Sequence, residues 1–193
     1  GLCYIYHYDS RIRLVEKKIP GKDWEHIVYD VLDRPILTQD ANLRLNNHWS
    51  LTKYDAFGRI IYTGQHQFSP SGTQHNAGRL ELQVLANNQT YFYETVGNST
   101  ISGQTLPYTK QTLPTNNLEL YTINYYDDYS FNIPTTLAYT NSYNATLAEN
   151  TTGLTTGNKE RVLDTNNWIT TITYYDTKKR VIAVATKNDY LNT

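Results

Sequence analysis

The sequence predicts an all-β fold built as an array of β-hairpins, and three observations carry that prediction. Tyrosine occurs 18 times in 193 residues and makes up most of the 13% aromatic content, beside abundant Thr, Val and Ile. Such side chains suit a pleated, half-buried surface. Asparagine collects in pairs, Asn46-Asn47, Asn87-Asn88, Asn116-Asn117 and Asn166-Asn167, and it closes turns because it tolerates left-handed backbone. Finally, the pattern Tyr-Asp-x-x-x-Arg recurs four times, so one structural unit is repeated along the chain.

The four copies begin at Tyr8-Asp9, Tyr29-Asp30, Tyr54-Asp55 and Tyr175-Asp176 and end at Arg13, Arg34, Arg59 and Arg180. The first three start 21 and 25 residues apart. A degenerate copy, Tyr126-Asp127-Asp128-Tyr129-Ser130-Phe131, carries Phe131 in place of the arginine. Trp24, Trp49 and Trp168 each precede a copy, so every tryptophan belongs to the repeat.

Each unit reads as a β-hairpin. Residues before the tyrosine form a strand, as in Glu25 to Tyr29 and Trp168 to Tyr174. The aspartate opens a tight turn, where its carboxylate accepts backbone N–H groups. Four positions after the tyrosine comes the residue most in need of positive φ. Gly58 is ideal there, Asp33 acceptable and Lys179 tolerable. Ile12 is a poor fit, because a β-branched side chain resists that region, so a different shape is expected for the first turn. The arginine opens the return strand, at Arg34 to Thr38, Arg59 to Thr63 and Arg180 to Val184. The tyrosine is expected to cover the neighbouring hairpin, and the arginine to pair with an aspartate as a cross-hairpin link. A single hairpin is marginal in water; stacked copies bury a shared face.

Between Thr63 and Asn124 the period breaks. Arg79 to Val84 alternates, which favours a strand, with a short helix over 77–86 as the alternative. Asn87-Asn88 is then expected to turn into a strand over Gln89 to Val96, and Leu118 to Tyr126 is a strong strand leading into the degenerate copy. Disorder is expected only around Asn144 to Asn158, which is rich in Thr, Asn and Gly. The organisation is therefore hairpins over 1–64, an irregular β insertion over 65–124 and further hairpins over 125–193. An independent domain of about 60 residues is disfavoured without a disulfide or metal.

Composition removes several function classes. Lys+Arg 17 against Asp+Glu 18 gives a net charge of −1, which argues against a nucleic-acid partner. The longest clearly apolar run, Val181 to Ala185, is far too short to span a membrane. The lone Cys3 rules out an intramolecular disulfide framework and reads as a buried, inert thiol in a strand. The five histidines have no metal-ligand spacing; His66 and His75 lie nine apart in an expected loop. Asp127-Asp128 lacks the spacing of a calcium loop and reads as a turn. No nucleophile elbow, phosphate loop or dinucleotide fingerprint occurs. The expectation is a non-enzyme with no catalytic residues, cofactor or metal. The absence of Met, and a start at Gly1-Leu2-Cys3-Tyr4 without a signal peptide, predict an interior or processed piece of a longer chain.

These residues resemble the YD-repeat, or RHS-repeat, family, whose hallmark is Tyr-Asp-x-x-Gly-Arg at a period slightly above twenty. Tyr54-Asp55-Ala56-Phe57-Gly58-Arg59 matches it in full. Pro20-Gly21 and the Gln39-Asp40-Ala41 turn resemble the family's spacers. The resemblance covers about 1–65 and 120–190. Tyr62-Thr63-Gly64 and Tyr125 to Tyr129 are similar to the large surface RHS proteins of Bacteroidetes-type bacteria. It implies a curved, spiralling β-sheet shell in a secreted or cell-surface protein, with flanking YD repeats of the same polypeptide as partners. Such shells can encase a C-terminal toxin, and type IX secretion machinery is the implied export route. Teneurins use the same shell in cell adhesion. The family's C-terminal core motif and a toxin domain have no match here, so the chain reads as shell wall. The repeat residues with structural roles are then Tyr8, Asp9, Arg13, Tyr29, Asp30, Arg34, Tyr54, Asp55, Gly58, Arg59, Tyr175, Asp176 and Arg180. The other reading of the same chain is a surface adhesion or carbohydrate-binding module, displayed on the insertion.

Overall fold

In the computed structural model, which describes residues 3–141 and 145–191, each Tyr-Asp copy joins two antiparallel strands. β1 (Ile5–Tyr8) pairs with β2 (Leu14–Lys18), β3 (Glu25–Tyr29) with β4 (Pro35–Gln39), and a short helix α1 (Ala41–Leu45) leads into β5 (His48–Tyr54), which pairs with β6 (Ile60–Gln67). Successive hairpins also pair, β2 with β3 and β4 with β5, so six strands follow one another in chain order. Strand accounts for 45% of residues and helix for 10%, which makes the fold all-β.

The first compact unit, residues 1–119, also holds helix α2 (Ala77–Asn87) and a small hairpin of β7 (Val96–Ile101) and β8 (Gln104–Tyr108). That hairpin turns at Ser102 and Gly103, both at positive φ (49° and 78°), the two-residue turn that matches the twist of antiparallel strands. The second unit, residues 120–193, carries β9 (Leu118–Asp127), which begins at the boundary, then β10 (Thr151–Arg161), β11 (Trp168–Tyr175) and β12 (Val181–Asn188), again paired in chain order.

Alternation decides which face is buried. Along β5, Trp49, Leu51 and Lys53 point inward, and along β11, Trp168, Thr170, Ile172 and Tyr174 do. The first unit's core is built on Val28, Leu37, Trp49, Leu51, Ile61, Leu82 and Leu106; the second's on Leu120, Ile123, Tyr125, Ile172 and Tyr174.

Several expectations are overturned. The alternating segment at Arg79 to Val84 is helical. Ala77, Gly78, Leu82 and Ala86 share one face, which is buried, while Leu80 and Val84 are exposed. A strand would have aligned Leu80, Leu82 and Val84 on one face; Ala, Leu, Glu, Gln and Arg favour the helix instead. Asn87-Asn88 therefore ends a helix, and residues 89–95 form no strand. Gln39-Asp40-Ala41 opens α1, with the Asp40 carboxylate accepting from the Leu43 N–H as an N-cap. Residues 151–158, expected to be disordered, lie in β10, paired with β9 from Thr151 and with β11 from Gly157; Asn144 lies outside the described residues. Cys3 is exposed and precedes β1. His66 is buried in β6 instead of lying in a loop. No helix among the described residues is long and apolar enough to cross a membrane.

Candidate functional site

The four Tyr-Asp turns are one object built four times. In each, the Asp N–H donates to the Arg carbonyl, and the N–H three residues after the Asp donates back to the Asp carbonyl: Asp9–Arg13 with Ile12, Asp30–Arg34 with Asp33, Asp55–Arg59 with Gly58, Asp176–Arg180 with Lys179. The strand register shifts by one at Tyr8, Tyr29, Tyr54 and Tyr175 alike. This is the three-residue hairpin loop whose last residue takes left-handed backbone and forms a bulge. Those last residues are Ile12, Asp33, Gly58 and Lys179, at φ 62°, 62°, 77° and 60°. The expectation of a different first turn is thus wrong. Ile12 adopts the shared shape despite its β-branch, because the Asp9 and Arg13 contacts hold the loop, and its side chain stays 83% exposed.

The aspartate is the hub. Its Oδ1 accepts from the backbone N–H two and four residues on, at 2.9 and 3.0 Å for Asp9, 2.9 and 2.9 Å for Asp30, 2.9 and 2.9 Å for Asp55, and 2.8 and 2.9 Å for Asp176. Its Oδ2 accepts from the Nε of the repeat's own arginine at 2.7, 2.8, 2.6 and 2.7 Å. The Asp-to-Arg link is therefore internal to each hairpin. At Asp176 the backbone and side-chain hydrogen bonds from Arg180 hold the carboxyl below its ordinary range. At Asp9 burial pushes upward, and the hydrogen bonds from Arg13 and Arg11 outweigh it.

Contact between hairpins runs through arginine and tyrosine. The Arg13 guanidinium lies over the Tyr29 ring at 4.8 Å, and Arg34 lies over Tyr54 at 4.6 Å. The Tyr29 hydroxyl donates to the Leu14 carbonyl and Tyr54 to Pro35, each at 2.9 Å and each to the residue after the preceding arginine. Burial raises both phenols, with the facing arginine pulling the other way, so they remain protonated donors. Arg13 also reaches Asp33 at 2.8 Å, and Arg34 donates to the Phe92 carbonyl. In the second unit the Tyr175 hydroxyl donates to Thr155 at 2.7 Å. Tyr8 alone among the four has no partner among the described residues and is 58% exposed.

No family model matches this chain, nor does any curated protein.

The degenerate copy shows what the arginine supplies. Without it no five-residue turn closes. Asp127, at φ 74°, is paired with Thr151, and the chain between them makes an excursion of more than twenty residues. Phe131 is buried and stacks on Tyr125, with ring centroids 3.9 Å apart and planes at 9°, and Tyr129 donates to the Thr173 carbonyl at 2.8 Å. Aromatic packing thus stands where the other copies carry the arginine. The Asp127 and Asp128 carboxylates serve turns, accepting from Gly153 and Ser130. Among the described residues no group of three or more His, Cys, Asp or Glu is placed to hold a metal ion.

One buried charge went unread in the sequence. The residue before the tyrosine faces the core in the later copies, where Val28, Tyr125 and Tyr174 are buried. At this position the third copy has Lys53, 1% exposed. Its ammonium donates to Thr112 Oγ1 at 2.9 Å and the Pro114 carbonyl at 2.8 Å, and pairs with Glu94 at 3.3 Å. Glu94, equally buried, also accepts from the Thr109 hydroxyl and the backbone of Gln111 and Thr112. Burial pushes Lys53 down to about 8 against the pull of Glu94. Burial pushes the Glu94 carboxyl up, and Lys53 with the surrounding donors brings it below its usual range. The readable signal was Lys53 itself: an alternating strand, Trp49-Ser50-Leu51-Thr52-Lys53, commits it to the inner face, where a charge must find a partner.

Proposed function

We propose that this chain is a structural segment of an RHS/YD-repeat shell in a large secreted or cell-surface bacterial protein, without catalysis of its own. The observation that carries this reading is the repeated turn with its Arg-over-Tyr interlock, since repetition at fixed register gives each copy the same structural task. The flanking repeats of the same polypeptide are its first partners; an encased toxin-type polypeptide and type IX secretion machinery follow from the family resemblance. β1 is an edge strand on which a further hairpin can pair: its Tyr6 and Tyr8 are 46% and 58% exposed, and Tyr4 just before it is 66% exposed.

The test is to append one hairpin. A copy of residues 24–46 placed directly before residue 1 keeps the spacing that separates Arg34 from Tyr54. The appended arginine is expected to seat on Tyr8, protect the β1 amides from exchange and raise the denaturation midpoint. An unstructured appendage with β1 amides still exchanging freely would contradict the reading.

A surface-binding role is the second reading, favoured by a cleft of about 550 Å³ in the insertion. Phe68, Leu82 and Pro114 form apolar walls, while Gln67, Asn116 and Asn117 offer amides, and no carboxylate, lysine or arginine lines it. That mixture suits a neutral sugar, with an apolar face and hydroxyls. Glycan-array binding lost in both Phe68→Ala and Asn116→Ala would support it; binding unchanged in both would remove it.

A further inference from the structure

Two histidines, His7 and His26, approach the buried Glu16 carboxylate beneath helix α2, and a third, His75, packs against the His26 ring. His26, on β3, has a side chain at 0% exposure, and neither ring nitrogen has a hydrogen-bond partner. Its ring faces His75, from the segment before α2, at 5.5 Å and Trp49, from β5, at 6.5 Å. His75 continues to Trp24 at 5.1 Å and Trp24 to His7 at 4.9 Å. Glu16, on β2, is 3% exposed and accepts from His7 Nδ1 at 2.8 Å, Asn76 Nδ2 at 3.1 Å and Arg79 Nε at 2.8 Å. It approaches His26 Nδ1 only to 3.9 Å.

This cluster fastens the helix to the sheet. Asn76 and Arg79 sit at the start of α2; the Asn76 Nδ2 donates to Glu16, and its Oδ1 makes no N-cap bond. A second fastening lies one helical turn on, where the Gln83 amide donates to the Tyr29 carbonyl at 2.8 Å and accepts from its N–H at 3.0 Å. Gly78 seats the helix on Trp49; a Cβ there would come within 3.1 Å of the indole.

A bare, buried imidazole is a costly choice where Leu or Phe would fill the space. Its special property is that it can take a proton. The closed site refuses one. Glu16 is already satisfied by three other donors, and Arg79 from α2, Arg44 from α1 and His75 all add positive potential.

We propose that His26 is the proton-sensing element of a latch that releases helix α2 from the sheet on acidification. With the helix seated, burial pushes the imidazole down to about 4, and the Glu16 charge only partly offsets this. With the helix lifted, the ring regains an ordinary value near 6.5. The lifted form binds more protons between those values. The latch is therefore fully closed above about pH 6.5 and weakens as pH falls toward 4. Glu16, held at about 2 with His7, Arg79 and Asn76 outweighing its burial, loses its contribution only below its ordinary 4.5. The two windows overlap only between about pH 4 and 4.5, below the range from pH 7 to pH 5. From pH 7 to pH 5 the ratio of lifted to seated helix rises roughly twenty-fold through His26.

His66 on β6 is also pushed down by burial and acts in the same direction, so the test is a difference. Hydrogen–deuterium exchange of the α2 amides, corrected for intrinsic rate, is measured at pH 7 and pH 5 in wild type, His26→Phe and Gln83→Ala. Wild type and Gln83→Ala are expected to lose about twenty-fold more protection over that range than His26→Phe, with Gln83→Ala looser at both pH values. The same loss in His26→Phe as in wild type would overturn the proposal. Should His26→Phe not fold, carbon-13 histidine spectra of wild type decide. A His26 ring still neutral at pH 5 while α2 is seated supports the latch, and titration of that ring near pH 6.5 with α2 protected overturns it.

Discussion

The repeated turns and the inserted segment solve the same problem, placing charge inside a β-protein, in opposite ways. Each turn makes its ion pair locally, four residues apart in sequence, with the aspartate also satisfying two backbone N–H groups. The insertion makes its pair at a distance, Lys53 with Glu94, and needs residues from 109 to 114 to complete the shell of donors and acceptors. Local pairing tolerates variation along the loop and copies easily. Distant pairing is unique to one copy and depends on the whole segment being in place.

The largest effect is therefore expected at the buried pair. Lys53→Met alone strands the Glu94 carboxylate and is expected to cost about 3–5 kcal/mol of stability in urea denaturation. Adding Glu94→Gln is expected to restore part of that loss, because it removes the stranded charge and keeps one acceptor, while its amide N–H faces the backbone N–H of Gln111 or Thr112. A single variant as stable as wild type would remove the contrast between the two regions.

In the turns, Asp30→Ala and Asp55→Ala are each expected to cost about 2 kcal/mol, by orphaning backbone N–H groups and an arginine. The two losses are expected to match within about 1 kcal/mol, since the geometry is the same. A large loss at one and none at the other would break the equivalence of the copies.

Backbone strain gives smaller effects. Gly58→Val is expected to cost about 1–2 kcal/mol, because φ is 77° with no neighbour near the added Cβ, so conformation alone is tested. Lys179→Val exchanges one strained side chain for another and is expected to cost less. Equal thermal shifts for the two would count against the shared turn. Ile12→Gly is expected to raise stability by about 1 kcal/mol, since Ile12 sits at φ 62° and is 83% exposed.

This contrast also explains what could be read from the sequence. The turns were legible because every determinant lies within six residues: aspartate, a left-handed position and arginine. The hairpins and their order followed. The interlock was legible only as a covering role for tyrosine; that Arg34 would lie on Tyr54 depends on which strands adjoin. Ile12 was misjudged because local preference was weighed without the bonds that hold the loop. Helix α2 was misread because Leu80, Leu82 and Val84 follow the two-residue period of a strand, while the helix buries Ala77, Gly78, Leu82 and Ala86, seated by the long-range contact of Gly78 with Trp49. The Glu94 and His26 clusters each depend on a contact about forty or more positions apart, Lys53 to Glu94 and Glu16 to Arg79, and no local pattern announces such meetings.

The central claim is that successive repeats are joined by arginine over tyrosine. A double-mutant cycle on Arg34→Ala and Tyr54→Leu measures that join directly by chemical denaturation, with Arg13→Ala and Tyr54→Leu as the non-adjacent control. A coupling of about 1 kcal/mol at the adjacent pair and none at the control is predicted. No coupling at the adjacent pair would contradict the account.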